Sequence, residues 1–396
     1  MRYVIIGGSA AAIGCIEGVR SVDKTGEIIL ITGETEWNYS RPLISYLLEG
    51  KTTRDKMWCR PDSFFTRNGV TVKAGVLATT LDAGDRTVRL STGERLAYDR
   101  LLAATGSRPF VPPIPGLETV ERTFCFQTLS DASALAEGLT GVKCAEGIRG
   151  LCAQIAIADL APRVLPAVLD DTAAAMVQAR MEEKGVRFYL NDSAAAFRGN
   201  TARLQSGTEL EFDVLVTAVG VRPNTQLVAD AGGAVDRGIL VDGRCATTLP
   251  DVYAAGDCAQ GYDAVSGEKR MLPLWPNAML QGETAGINMA GGRADYTQGI
   301  ALNASGVFGL HMVTAGSYEG ESFTVQRDGS YKRLVTADGV LKGVIMVGDV
   351  SRAGIYTDLI RKKKPLSEID FDLIRESPQL MAFSQKDRRV QLGGEV

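Results

Sequence analysis

An α/β protein of more than one domain is the fold class this sequence predicts, on three observations. Its 396 residues exceed what one hydrophobic core ordinarily organises, since single cores stop growing at roughly 250–300 residues. The chain opens with a short apolar run, Tyr3-Val4-Ile5-Ile6, that breaks at Gly7-Gly8, passes into a helical pattern through Val19 and is answered by a second β-rich run from Glu27 to Thr32. Further apolar runs end in glycine turns at Gly106, Gly220 and Gly256, the punctuation of strands closed by tight turns.

Composition bounds the function. Hydrophobic residues at 45% against charged residues at 23% describe a globular chain and argue against disorder or a fibrous repeat. A net charge of −4 leaves no single-sign excess to drive binding to nucleic acid. The one histidine, His311, excludes a multi-histidine metal site, and a Ser-His-Asp triad would have to use it; no metal site is expected. Seven cysteines (Cys15, Cys59, Cys125, Cys144, Cys152, Cys245 and Cys258) include no C-x-x-C pair, which fits free thiols in a reducing compartment. Met1-Arg2 runs directly into the first strand, so no leader is expected. No stretch approaches the 18 or so apolar residues of a membrane span. The expected location is cytoplasmic.

Strand, glycine turn, helix, strand and then an acid at Glu34 is the first βαβ unit of a dinucleotide-binding fold. In such a unit the turn seats a pyrophosphate on the helix N-terminus, where free N–H groups and the dipole favour anions, and the acid accepts from a ribose. Gly7 opens the turn, Ser9 stands at the second glycine position, and Ala10, Ala11 and Ala12 follow, with Ala12 at the third. A small serine still permits close approach and can donate to phosphate. Taken alone, the turn reads either as a nucleotide site or as a tight turn between packed elements.

Three later segments shift that balance. Leu101-Leu102-Ala103-Ala104-Thr105-Gly106-Ser107-Arg108-Pro109 is a buried strand breaking at a Thr-Gly turn; Val214 to Gly220 leads into Val221-Arg222-Pro223-Asn224; and Thr248 to Asp257 is a strand ending in Gly256-Asp257. In this order the motifs resemble the FAD-dependent pyridine nucleotide-disulfide oxidoreductase superfamily, over residues 4 to 257. The resemblance implies two Rossmann-like dinucleotide-binding domains, the second inserted in the first, and an α+β C-terminal domain of the kind used for dimerisation. The implied boundaries are 1–111 and 238–300 for the FAD domain, 112–237 for the pyridine-nucleotide-type domain and 301–396 for the C-terminal domain.

By the same resemblance Asp257, after Gly256, serves the flavin ribityl and pyrophosphate. Ala104-Thr105-Gly106, with Arg108 just beyond, lies against the cofactor at the crossing between domains. Arg41, in Tyr39-Ser40-Arg41-Pro42, passes near the flavin. Trp275-Pro276-Asn277 opens a helix whose N-terminus faces the flavin pyrimidine edge, where its dipole favours the negative charge of a reduced flavin. The plainer readings are a helix N-cap for Asp257, a surface arginine for Arg41 and a core aromatic for Trp275.

No cysteine stands between residues 16 and 58, where the disulfide- and peroxide-reducing branches carry theirs, so dithiol chemistry is not expected. Asn38 to Gly50, Gly306 to Leu310 and Gly343 to Asp349 look most like the rubredoxin reductase and nitrite reductase flavin-subunit group. Tyr46 stands where ferredoxin reductases of this fold have a lysine. The implied function passes electrons from NAD(P)H through FAD to a small, rubredoxin-like redox protein or other acceptor, in a homodimer, with no side chain as catalytic acid or base. His311 reads as structural. The basic run Arg361-Lys362-Lys363-Lys364 reads as a solvated helix end, or as a dock for an acidic redox partner.

One departure stands out. The family's second dinucleotide fold should open soon after residue 140 with a strand, a glycine-rich turn and a helix. Here Leu139-Thr140-Gly141-Val142-Lys143 leads into Cys144 to Gly150, and Gln154 to Arg163 already matches the family's second strand with its acid, Asp159. About a dozen residues, the opening of one βα unit, are missing. Three explanations stay open: the domain has repacked and lost nicotinamide binding, it binds NADH weakly through what remains, or the natural protein has residues this sequence lacks. The alternative function is accordingly an FAD-binding subunit or regulatory flavoprotein without nicotinamide turnover.

Overall fold

The computed structural model describes residues 1–138 and 154–391. The elements that matter begin with β1 (Arg2–Ile6), α1 (Ala10–Val22), β2 (Glu27–Thr32), β3 (Val70–Ala74), β4 (Arg100–Ala103), β5 (Ser107–Pro109), β6 (Thr123–Phe124) and α2 (Leu129–Gly138). They continue with β7 (Ile155–Asp159), α3 (Asp171–Glu183), β8 (Val186–Leu190), β9 (Leu215–Val216), β10 (Val221–Pro223), β11 (Val252–Ala254) and α4 (Trp275–Met289). The C-terminal part adds β12 (Leu302–Val307), β13 (Leu310–Gly316), β14 (Glu321–Arg327), β15 (Ser330–Ala337), β16 (Val340–Val347) and α5 (Ala353–Lys362). Two compact units result, one of residues 1–155, 194–262 and 268–299, the other of 156–193, 263–267 and 300–396.

The first unit is built on a five-stranded sheet in the order β11-β4-β1-β2-β3, parallel throughout. Its central strands are apolar on both faces because both faces are covered. Tyr3 and Ile5 pack with Ile13 and Ile16 of α1. Val4 and Ile6 point the other way, into a cluster with Leu81, Val88, Leu101 and Val252. A small antiparallel sheet of Ala78–Asp82, Thr87–Leu90 and Arg95–Ala97 supplies that second cover.

Helices α1 and α4 touch backbone to backbone. A Cβ on Gly14 would lie 2.2 Å from the Met279 carbonyl oxygen, on Gly18 2.2 Å from that of Glu283, on Gly282 2.0 Å from that of Ala11 and on Gly286 2.2 Å from that of Cys15. Only glycine permits this separation. Because Ala11 meets Gly282 while Cys15 meets Gly286, the helices run in the same direction and their N-termini lie together.

In the second unit β12 to β16 form an antiparallel sheet in the order β12-β13-β16-β15-β14. Tyr356, Leu359 and Ile360 of α5 pack on it with Leu334, Val344 and Met346. α3 is capped by Asp170, which accepts from Ala173 N at 3.0 Å and from the Tyr331 hydroxyl at 2.7 Å; this ties α3 to β15. Two of the four residues of the basic run at the end of α5 are paired, Lys362 with Asp358 at 3.0 Å and Lys364 with Glu368 and Asp387 at 2.9 and 3.1 Å. His311 is exposed on β13.

The region read as one inserted nucleotide domain consists of separate pieces. β6 and β9 form a two-stranded parallel sheet in the first unit, and β7 and β8 another in the second. Among the described residues no strand joins them. The expected site of the missing strand and glycine turn, residues 139–153, lies outside the described residues. Among those described, no helix is long and apolar enough to cross a membrane, and no group of three or more His, Cys, Asp or Glu could hold a metal ion.

Candidate functional site

Three strand ends define the site. β1, β4 and β11 are parallel neighbours, so the turns that follow them, at Gly7, Ala104-Thr105-Gly106 and Gly256-Asp257, emerge along one edge of the sheet. β1 is where the strand order reverses, with β2 on one side and β4 on the other. Ligands of open α/β sheets bind at the carboxyl ends of strands at such a switch point.

Close approach sets the residue types at this edge. Gly7 has φ of +122°, and a Cβ there would stand 2.1 Å from the Ala104 carbonyl oxygen. A Cβ on Gly256 would meet the Cβ atoms of Ala11 and Ala278 at 3.3 and 3.6 Å, so the Gly256 turn sits between the first turns of α1 and α4. Neither helix has an acidic residue in its first turn, and neither N-cap, Ser9 or Leu274, makes a side-chain capping bond. Ala10, Ala11 and Ala12 are buried, which keeps side chains away from the free N–H groups. Two helix N-termini open toward Gly256-Asp257, and their combined donors and dipoles suit a pyrophosphate. Trp275 and Pro276 form the start of α4, and Asn277 is buried in its first turn.

A chain of hydrogen bonds crosses the edge. Glu34, one residue past the β2 turn, receives the Tyr39 hydroxyl at 2.6 Å and pairs with the Arg41 guanidinium. Burial, ahead of the bond to Glu34, pushes the Tyr39 phenol up, so it remains a donor. The same hydroxyl accepts from Leu129 N at 3.0 Å. Arg41 Nη1 also donates to the Gln127 carbonyl at 3.0 Å. Gln127 Nε2 donates to the Ser107 carbonyl and Oγ at 2.9 and 3.0 Å, and Ser107 Oγ donates to Asp257 Oδ2 at 3.3 Å. Burial raises the Asp257 carboxyl, with the Ser107 bond opposing. Glu34, Arg41 and Asp257 are thereby brought into one network that runs from the end of β2, past Ser107 beyond the β4 turn, to the end of β11.

The Val221-Arg222-Pro223-Asn224 run has a clear task. β10 pairs antiparallel with β5, and Asn224 clamps the Thr-Gly turn. Its amide donates to the Thr105 carbonyl at 2.9 Å, its backbone N–H to that of Gly106 at 2.9 Å, and its carbonyl accepts the Thr105 hydroxyl at 2.6 Å. Arg108 donates to Asn224 Oδ1 at 2.9 Å and is exposed. Because neighbours on a strand face opposite ways, Ser107 reaches Asp257 while Arg108 turns outward.

Sequence reasoning passed over Gln127 and gave Asn224 no role. No local pattern marks Gln127, whose buried Oε1 has no protein partner; Asn224 was visible only as the end of a motif. The donors, the small residues and this orphaned acceptor fit FAD. Replacing Arg41 by alanine would leave Glu34 Oε1 and the Gln127 carbonyl without their donor, with Tyr39 still on Oε2. We expect the FAD dissociation constant to rise about tenfold, from a loss of ~1.5 kcal/mol for a charged hydrogen bond, as read by fluorescence titration of the apoprotein.

Comparisons with known proteins agree with this geometry. The sequence model of the family described as pyridine nucleotide-disulphide oxidoreductase matches residues 1–282. The NADH-dependent phenylglyoxylate dehydrogenase subunit epsilon of Aromatoleum evansii is 32% identical over 394 residues, covering 93% of this chain and 93% of that protein. The alignment is longer than the part of this chain it covers, so that relative carries residues this chain lacks. The assimilatory nitrate reductase electron transfer subunit of Bacillus subtilis (strain 168) is 29% identical over 391 residues, covering 92% of this chain and 50% of that one; the chain spans about half of that relative's length. Among solved structures, a NAD-dependent persulfide reductase from A. fulgidus is similar with a TM-score of 0.84 and 25% identity, over 93% of this chain and 78% of that one.

Proposed function

The chain belongs to the pyridine nucleotide-disulphide oxidoreductase family, and we propose on that premise that it is an FAD-dependent NAD(P)H oxidoreductase handing electrons to a small redox protein or redox centre. The observation that carries the reading is the convergence of the Gly7, Thr105-Gly106 and Gly256-Asp257 turns with two uncapped helix N-termini. Bound FAD supplies what the side chains lack, accepting a hydride from a nicotinamide and releasing electrons singly. The chain's own work is binding and positioning. The N–H groups of Ser9 to Ala11 and of the first turn of α4 would take the pyrophosphate, Glu34 the ribose, and Asp257 and Gln127 the ribityl chain, while the Ala12 N–H donates to the Ser9 carbonyl at 3.0 Å. Asn224 holds the turn at the domain crossing. The relatives' names, a subunit of an NADH-dependent dehydrogenase and an electron transfer subunit, support the direction of flow. A cytoplasmic homodimer, joined through residues 301–396, completes the reading.

Among the described residues, thiol chemistry has no support. The five described cysteines are all free, and burial pushes the thiols of Cys15, Cys59, Cys245 and Cys258 up, which removes the thiolate that redox attack requires. Treatment with iodoacetamide is therefore expected to leave NAD(P)H:acceptor activity within about twofold; loss in step with alkylation would overturn the point.

A further inference from the structure

The outer face of the β5–β10 ribbon carries charge that no carboxylate among the described residues answers. Arg108 and Arg222 are direct cross-strand partners in the antiparallel register, a like-charge pairing that destabilises a two-stranded ribbon. Both are exposed. Arg108 reaches only Asn224 Oδ1, and Arg222 lies over the Phe110 ring at 4.6 Å. Together with exposed Arg237 they line a cleft of about 1090 Å³, floored by Pro109, Phe110 and Met271. Among the described residues none of the three arginines has an ion-pair partner. The one carboxylate in the lining, Asp236, takes a hydrogen bond from Gln260 at 3.2 Å. In a chain of net charge −4 this concentration is local.

The rim of the cleft is apolar and open. Val111 and Val221 in the lining are 46% and 45% exposed, and Val219, two residues before β10, is 59% exposed. The volume lies just above the range for pockets that enclose one small ligand, and the arginines stand on an open surface rather than inside a cavity. Exposed apolar residues set among arginines are the composition of a protein interface. Position adds the reason for one here: Arg108 follows directly on Ser107, which touches Asp257 on the ribbon's other face.

We propose that this cleft is the docking surface for the electron acceptor, a small one-electron redox protein with an acidic face. The inference rests on the oxidoreductase reading above and deepens it by naming the acceptor's chemistry and its place. Each docked acceptor takes one electron, so two dockings complete the oxidation of one nicotinamide, NADH → NAD⁺ + H⁺ + 2 e⁻. The arginines lose their mutual repulsion when carboxylates of the partner come between them, which favours encounter and makes its rate fall with salt.

The test photoreduces the flavin-loaded enzyme, so that it does not depend on nicotinamide binding, and mixes it in a stopped-flow with oxidised acidic [2Fe–2S] ferredoxin or, separately, with neutral menadione. In Arg222→Glu/Arg237→Glu the second-order rate with ferredoxin should fall at least about tenfold and lose its salt dependence, while the menadione rate stays unchanged. Arg237→Glu alone, which leaves the ribbon untouched, should give a smaller loss in the same direction. Unchanged ferredoxin rates in the variants, equal losses with both acceptors, or a wild type that reduces menadione but not ferredoxin would each overturn the proposal. Failure of the underlying reading shows elsewhere, as a protein that binds no flavin.

Discussion

Gly282→Val should separate α1 from α4 and lose FAD with the separation. The new Cβ would lie 2.0 Å from the Ala11 carbonyl oxygen, and the neighbouring contacts of Gly14, Gly18 and Gly286 are as close. No rotamer relieves a clash between a Cβ and a backbone carbonyl, so the helices must move apart along their shared length, uncovering Ala285 and Met289, both fully buried. Overpacking of this kind costs about 3 kcal/mol, and the first unit's unfolding midpoint should fall by roughly 6–12 °C. The two N-termini would then no longer share the Gly256 turn, so the flavin-to-protein ratio should collapse in the same variant. Calorimetry and the absorbance ratio of the purified protein check both. An unchanged midpoint would mean that the glycine contacts do not set the helix separation.

Gly7→Ala should remove the cofactor while leaving the fold. Its methyl would meet the Ala104 carbonyl oxygen at 2.1 Å, at a φ of +122° that L-residues rarely adopt. The strain of roughly 1–3 kcal/mol falls on the turn rather than on the core, since Ile5, Ile6 and α1 keep their packing. Affinity for FAD should drop by about 5- to 150-fold, with the far-ultraviolet circular dichroism of the wild type. A variant that unfolds instead would assign Gly7 to the core.

The parts legible in the sequence are those fixed by neighbours along the chain. The run Tyr3–Ile6, the glycine turn and Glu27–Thr32 become β1, α1 and β2 because a short continuous apolar run, a small-residue turn and a buried helix face are all local patterns. The three later turns were each visible as a strand ending in glycine, but their convergence was not, because it depends on β11 crossing 150 residues of chain to pair with β4. Arg108 shows the limit: one residue from Ser107 in sequence, it faces the opposite side of the ribbon. Gln127 shows another, since its contacts with Arg41 and Ser107 join segments 86 and 20 residues away. The shortened opening of the second nucleotide fold is an expectation from the sequence that falls on residues 139–153, outside the described ones; the pairing of β6 with β9, across some ninety residues, was not legible because strand pairing is non-local.

Anaerobic titration of the flavin-loaded protein with NADH and then NADPH tests the central claim most directly. The account predicts that the oxidised flavin band bleaches at near-stoichiometric nicotinamide and returns when an acceptor is added. A flavin that dithionite reduces and neither nicotinamide touches would contradict it, and would make the chain a flavin subunit whose electrons come from another protein.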